Sequence, residues 1–191
     1  MNIISTKKMA TSSNRKVLRI LGITGSLILV LNYLVIVTFF NNVNPVIIDV
    51  LFVAGFLAFY IALCNHIKMY SLKSETVLLR ALIIIELLAF VFQMVNGFFF
   101  ALPDFIFTLL YILIVIVFVI FGIKVLKYED INRRGIGLLK RFIVSMFFAY
   151  LIIGTGSIML LITHQMQFVQ WLFTIYAIPY IFGFMYFLKQ R

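Results

Sequence analysis

The sequence predicts an all-α integral membrane protein: a six-transmembrane-helix bundle with the N-terminus and the C-terminus both cytoplasmic. Three observations predict this fold class, namely the composition, six long apolar runs and the distribution of the basic residues. Of the 191 residues, 64% are hydrophobic and 12% are charged, whereas about half of a typical soluble domain is apolar. A surface of this composition is compatible with lipid rather than with water.

Six apolar runs are long enough to cross a bilayer, since a helix needs roughly 20 residues to span about 30 Å of hydrocarbon. The predicted spans are residues 17–40, 46–67, 77–101, 105–126, 142–163 and 168–188. They form one transmembrane domain, residues 17–188, between a basic cytoplasmic segment, residues 1–16, and a cytoplasmic tail, residues 189–191. The turns NNVNP, ALPD and THQMQ join consecutive spans closely.

Several residues in these spans predict local structure. Pro45 and Pro103 stand where the second and fourth helices begin, and a missing N–H costs little there. The fourth run has no polar atom from Tyr111 to Gly122 beyond Tyr111 itself, so we expect its helix to face lipid. Pro179 lies near the centre of the sixth run and predicts a kink.

Small and polar residues predict that the first and fifth helices lie centrally in the bundle. Small side chains let helices in lipid approach each other closely, and polar side chains bond across the interface. The residues of this kind are Gly22, Gly25, Ser26 and Asn32 in the first helix, and Ser145, Ala149, Gly156 and Thr163 in the fifth.

The distribution of Lys and Arg predicts the orientation, because these residues accumulate in cytoplasmic loops. All 16 fall in the N-terminal segment, around the second and fourth connections, or at the C-terminal end, and the other three turns have none. Six spans with both termini in the cytoplasm give this partition. The net charge of +10 is thus explained by membrane orientation, and we expect no nucleic-acid partner.

The first apolar run is either a membrane span or the apolar region of a cleaved signal peptide. It is longer than the apolar region of a signal peptide, and no small-residue cleavage site follows it. We therefore expect a retained first span in a bacterial cytoplasmic membrane, with a basic mitochondrial presequence as the alternative interpretation.

Glu86 is the most informative residue, because it interrupts the apolar stretch LLRALIIIELLAFVFQMVNG, residues 78–97. It lies about nine residues, or roughly 13 Å, into the third helix at 1.5 Å per residue. A carboxylate at that depth costs at least ~2.5 kcal/mol, so another interaction must offset the cost. Gln93, at i+7, falls on the same face of this helix.

Two interpretations of Glu86 follow. In the first, Glu86 is a proton or cation site, or the anchor of a ligand amine, since ionisable residues inside a membrane are functional by default. The cavity around it would be lined also by Gln93, Asn96, Asn32 and Tyr60. In the second, Glu86 is a protonated carboxyl that bonds Asn32 or a hydroxyl of the fifth helix and only joins helices.

The remaining polar residues predict structural roles. Asp49 and Asp104 stand near helix starts, where the helix dipole favours negative charge, with a weak outer cation site as the alternative. His66 and His164 are predicted at opposite faces of the bilayer, so they cannot share a site. Cys64 is the single cysteine, and we expect no intrachain disulfide, no metal site and no cofactor.

The fourth connection, residues 127–141, is a basic cytoplasmic loop with helical charge spacing. Glu129 with Arg133 and Asp130 with Arg134 are i, i+4 pairs of favourable order. This loop could lie on the inner membrane surface against anionic lipid, or it could dock a cytoplasmic or membrane protein partner. The residues that would carry either contact are Arg133, Arg134, Lys140 and Arg141.

The sequence contains no HExxH, no phosphate-binding loop and no pair of aspartates inside a span. We therefore expect a protein that is not an enzyme. The predicted function is a small transporter or substrate-binding membrane subunit with a polar intramembrane site at Glu86. A non-transporting subunit or assembly factor of a larger membrane complex is the alternative, and a membrane-embedded enzyme is a third, less favoured one.

Overall fold

The computed structural model describes residues 3–39, 45–69, 72–98, 103–128, 136–163 and 174–190, and this part of the chain is helical and contains no strand. Five long helices are followed by a short one. They are α1 (Ile3–Phe39), α2 (Pro45–Met69), α3 (Lys73–Phe98), α4 (Asp104–Leu126), α5 (Ile136–Thr163) and, after a 3-10 turn at Thr174–Tyr176, α6 (Ala177–Lys189). The predicted all-α class is confirmed.

Five of these helices are long and apolar enough to cross a membrane. The stretches that qualify are Asn14–Leu34, Val46–Lys68, Lys73–Asn96, Phe105–Leu126 and Ile136–Ile153. The architecture is therefore that of a multi-pass membrane protein, in which helices satisfy their own backbone groups. The sixth predicted span begins at residues outside the described part of the chain, so a sixth crossing and the orientation of the termini stay predictions.

Helices α1 and α2 approach each other closely at a pair of glycines. A Cβ atom on Gly25 would overlap the backbone of Phe59 and the carbonyl oxygen of Gly55. Ser26 is buried beside this crossing and donates its hydroxyl to the carbonyl oxygen of Gly22 at 2.5 Å. Small side chains thus bring the two backbones together, as the composition of the first helix predicted.

Phe59 links α2 to α5 and α6. Its side chain is 1% exposed, and its ring centroid lies 5.2 Å from that of Phe142, 5.4 Å from that of Tyr180 and 5.8 Å from that of Phe187. Gly183 makes room for it, since a Cβ atom there would meet the Phe59 ring. Aromatic pairs at these separations stabilise a core beyond the area that they bury.

Helices α3 and α4 pack on each other at the edge of the bundle. In the most apolar window of α3, 11% of residues are buried, against 44% in α5, so α3 is the more peripheral of the two. On α4, Phe118 and Phe121 are buried, whereas Ile112 and Ile116 are exposed. The expectation that α4 faces lipid was wrong for one of its faces, because apolar side chains pack against helices as readily as against lipid.

Pro179 was predicted to kink the sixth helix near its centre. In the structure it lies instead in the first turn of α6. The 3-10 turn changes into α6 at Ala177, two residues before Pro179. The N–H groups of the first helical turn have no acceptor within the helix, so a proline is tolerated there.

Gly25→Ala is expected to lower the thermal unfolding temperature of the protein in detergent, because the added methyl group would meet main-chain atoms of α2. Overpacking of this kind costs about 1–3 kcal/mol. The matched control is Gly137→Ala in α5, where no described atom outside the same stretch of helix lies within 4 Å of the added carbon. Alanine should raise the unfolding temperature there or leave it unchanged, since it is the better helix former. Equal unfolding temperatures for the two variants would contradict the close crossing.

Candidate functional site

A cavity of about 430 Å³ lies between the helices of the bundle. Its wall is formed by residues of all six helices and of the turn before α6. The lining is mainly aromatic. Its six tyrosines are Tyr33, Tyr60, Tyr111, Tyr150, Tyr176 and Tyr180. Two polar side chains of α3, Glu86 and Gln93, also face it. The cavity therefore combines a large aromatic surface with polar groups from the tyrosine hydroxyls and from α3.

The tyrosines form a continuous aromatic wall. The ring of Tyr33 stacks on that of Tyr180, with centroids 5.9 Å apart and planes at 14°, and its centroid lies 5.3 Å from that of Tyr176. Tyr176 contacts Tyr150 edge-on at 5.8 Å, and Tyr150 contacts Tyr111 edge-on at 6.4 Å. The wall thus runs from α4 through α5 and α6 to α1.

Three aromatic residues of α2 continue this wall. Phe52, Phe56 and Tyr60 follow one another at four-residue spacing, so they lie on one face of the helix. The ring centroids of Phe56 and Tyr60 are 4.4 Å apart. Phe52 meets Tyr33 of α1 edge-on at 6.2 Å, which closes the wall across the α1–α2 interface.

Tyrosines of different helices stand near one another around the cavity. Tyr60 of α2 is near Tyr180 of α6, and Tyr111 of α4 is near Tyr176 of the turn before α6. Their hydroxyls bring polar groups into an otherwise apolar interior.

Glu86 is the acidic residue of the cavity lining, and it is supplied by α3. Its carboxylate is close enough to act electrostatically on the hydroxyls of Tyr33, Tyr60, Tyr150 and Tyr180. Within the described residues it makes no hydrogen bond or salt bridge. No Lys, Arg or His occurs among the described lining residues. Nothing on this wall neutralises the carboxylate.

The structure brings together three of the residues that were predicted to form a site. Glu86, Gln93 and Tyr60 line the cavity. Asn96 is exposed further along α3 and lies outside the lining. Asn32 also lies outside it: its side chain is 3% exposed, and neither amide atom has a hydrogen-bond partner in the described part of the chain.

The bonds that would make Glu86 a purely structural link are not seen in the described residues. The amide of Asn32 is unpaired. Ser145 donates to the carbonyl oxygen of Phe142 at 2.9 Å, and Thr155 donates to carbonyl oxygens of its own helix at 2.9 Å. These hydroxyls of α5 are thus occupied by their own backbone. The hydroxyls of Ser157 and Thr163 lie outside the described part of the chain.

His66 and Cys64 make separate contacts near the end of α2. The Nδ1 atom of His66 lies 2.7 Å from the Tyr186 hydroxyl oxygen. The thiol of Cys64 is buried and points to the carbonyl oxygen of Thr76 at 3.8 Å. Over the described ranges, no group of three or more His, Cys, Asp and Glu side chains is placed to hold a metal ion. His164 falls outside those ranges.

The structure describes the predicted docking segment, residues 127–141, at its two ends and not at residues 129–135. Arg133 and Arg134 fall outside the described residues. Lys140 and Arg141 lie in the first turns of α5, and Arg141 lines a small cavity of about 240 Å³ with Lys189 of α6. Contact of this segment with lipid or with a protein partner stays a prediction.

No protein-family model, curated protein or solved structure matches the chain. A helical bundle supports many unrelated activities, so the function has to be argued from the site. The site offers one acidic side chain in a mainly aromatic cavity. Such an arrangement is suited to binding a small molecule.

Five of the six cavity tyrosines were missed by sequence reasoning, which singled out Tyr60 alone. A signal was present, since tyrosines in membrane proteins concentrate at the interfaces and several here fall well inside apolar runs. Tyr176 and Tyr180 also stand at i, i+4, on one face of a helix. Their meeting with Tyr33 and Tyr150 depends on helix packing, which the spacing does not give.

Asn32→Leu is expected to maintain or raise the thermal unfolding temperature in detergent. A buried polar group without a partner costs about 1–3 kcal/mol, and leucine has the same branching as asparagine. The control is Ser26→Ala, which removes a hydroxyl that does make a hydrogen bond and should not stabilise the protein. A clear loss of stability in Asn32→Leu alone would show that the amide has a partner after all.

Proposed function

We propose that the protein is a small-molecule transporter, or the substrate-binding membrane subunit of one, whose ligand occupies the cavity beside Glu86. The observation that carries this proposal is a carboxylate without a neutralising partner among the described residues of a cavity in the bundle. Helices in lipid are stabilised by close packing. A cavity that also holds a charge is therefore unfavourable for stability, whereas a ligand site requires it.

The dimensions and chemistry of the cavity support this proposal. Its volume of about 430 Å³ falls among those of small-molecule pockets, which run from roughly 300 to 1,000 Å³. Its wall is mostly aromatic and apolar, and Glu86, Gln93 and the tyrosine hydroxyls supply the polar groups. Pockets of this type bind by shape and orient the ligand with a few polar contacts.

The proposed arrangement has six spans, both termini in the cytoplasm and a location in a bacterial cytoplasmic membrane. Its support is the confinement of all 16 Lys and Arg residues to one predicted side. The alternative role, a subunit or assembly factor without a ligand, depends on residues 127–141, of which residues 129–135 lie outside the described part of the chain.

A cavity-filling substitution tests the proposal. Ala89 of α3 lines the cavity, so Ala89→Trp should occupy the space that the ligand needs. The purified protein in lipid nanodiscs would be screened by thermal unfolding against cationic, neutral and anionic small molecules. A ligand at 100 times its Kd should stabilise the wild type by about 2.7 kcal/mol, and this gain should be lost in Ala89→Trp.

The matched control is Ala54→Trp on α2, since Ala54 is exposed and lies outside the cavity lining. This variant should respond to ligands as the wild type does. If Ala89→Trp keeps the full response, the ligand binds elsewhere and the proposal is wrong. If no compound of any charge class stabilises the wild type, the role of a subunit without a ligand becomes the better account.

A further inference from the structure

We propose that the ligand of this cavity is a compact organic cation, an ammonium group that carries apolar substituents. The inference rests on the proposed ligand-binding function and adds the chemical class of the ligand. Three properties of the cavity carry it: the charge of the lining, the aromatic wall and the volume.

The charge of the lining selects against anions. Glu86 is its acidic residue, and the described lining has no basic side chain. A carboxylate or phosphate ligand would meet a like charge in surroundings of low dielectric constant, where the repulsion is strong. A cation beside Glu86 would instead supply the partner that the carboxylate lacks among the described residues.

The aromatic wall selects for a diffuse organic charge. The face of an aromatic ring attracts a cation that lies within about 6 Å of the ring centroid, and cages of several rings recognise quaternary ammonium groups. Tyr33, Tyr176 and Tyr180 all line the same cavity. An ammonium group in the cavity can therefore lie near more than one aromatic ring.

The same cavity is poorly suited to a metal ion. Hard cations such as Mg²⁺ and Ca²⁺ take about six to eight oxygen ligands, and the described residues contain no cluster of three or more metal-ligating side chains. Backbone carbonyls of the surrounding helices are engaged in their own hydrogen bonds. A space of about 430 Å³ suits an organic molecule.

The test compares phenyltrimethylammonium with tert-butylbenzene, its neutral isostere. Binding of each to the full-length protein in lipid nanodiscs would be measured by sealed equilibrium dialysis, with uptake by empty nanodiscs subtracted. The wild type should bind the cation at least tenfold more tightly than the isostere. Glu86→Gln should weaken cation binding at least tenfold and leave binding of the isostere within twofold.

The matched control is Glu75→Gln at the start of the same helix. The carboxylate of Glu75 accepts a hydrogen bond from the Ser74 hydroxyl at 2.9 Å and lies outside the cavity lining. Removal of this charge should leave both affinities unchanged. A loss of cation binding as large as that in Glu86→Gln would mean that net charge, and not the cavity, attracts the probe.

A ring-deletion pair keeps the test informative if Glu86→Gln does not fold. Tyr33→Leu removes an aromatic face and should weaken cation binding at least threefold, whereas Tyr33→Phe keeps the ring and should stay within twofold. Size-exclusion chromatography would establish that each variant is folded. Equal affinities in Tyr33→Leu and Tyr33→Phe would contradict a role of the aromatic wall.

Two results would overturn the inference. One is equal affinity for the cation and the isostere with no change in Glu86→Gln; the cavity would then remain a ligand site for neutral molecules. The other is cation binding by the wild type no greater than that by Ala89→Trp. Failure of the proposed function itself has a different signature, because then no compound of any charge class would give a thermal stabilisation that Ala89→Trp removes.

Discussion

The backbone contact between α1 and α2 at Gly25 is the constraint on which the rest of the bundle depends. It holds the two helices close together at Phe59 of α2, and the ring of Phe59 packs against aromatic rings of α5 and α6. In lipid, helix association relies on such van der Waals contacts rather than on the exclusion of water. The closely packed side of the bundle lies at this contact. The cavity lies toward α3 and α4, which contribute Glu86 and Tyr111 to its lining.

Helix α3 is loosely packed where α1 and α2 are tightly packed, and the proposed function rests on this helix. It is weakly buried, yet it supplies the acidic residue of the cavity lining. A charge in such surroundings needs a counter-charge, a proton or water to offset its desolvation. The tyrosine wall around Glu86 offers ring faces but no counter-charge, so a bound organic cation would satisfy the carboxylate and the rings together.

The sequence was sufficient for features that depend on one helix at a time. The apolar runs predicted the helices, and Glu86 was recognised because a carboxylate is conspicuous among apolar neighbours. Asn32 shows the limit: its polarity suggested a place beside Glu86, but the structure buries it away from the cavity. The spacing of residues shows which of them share a face of a helix, but it does not show which other helix packs against that face. For the same reason the tyrosines of five helices could not be seen to converge, and the buried face of α4 could not be told from a lipid-facing one.

Cysteine labelling at position 86 tests most directly that this residue faces a ligand-sized cavity. In a Cys64→Ser background, Glu86→Cys would be treated with a methanethiosulfonate that bears a trimethylammonium group, and Ile84→Cys would serve as the control, since Ile84 is 58% exposed on the outside of the same helix. We predict that position 86 reacts, while lipid keeps the charged reagent from position 84. Equal resistance of both positions to labelling would contradict the account.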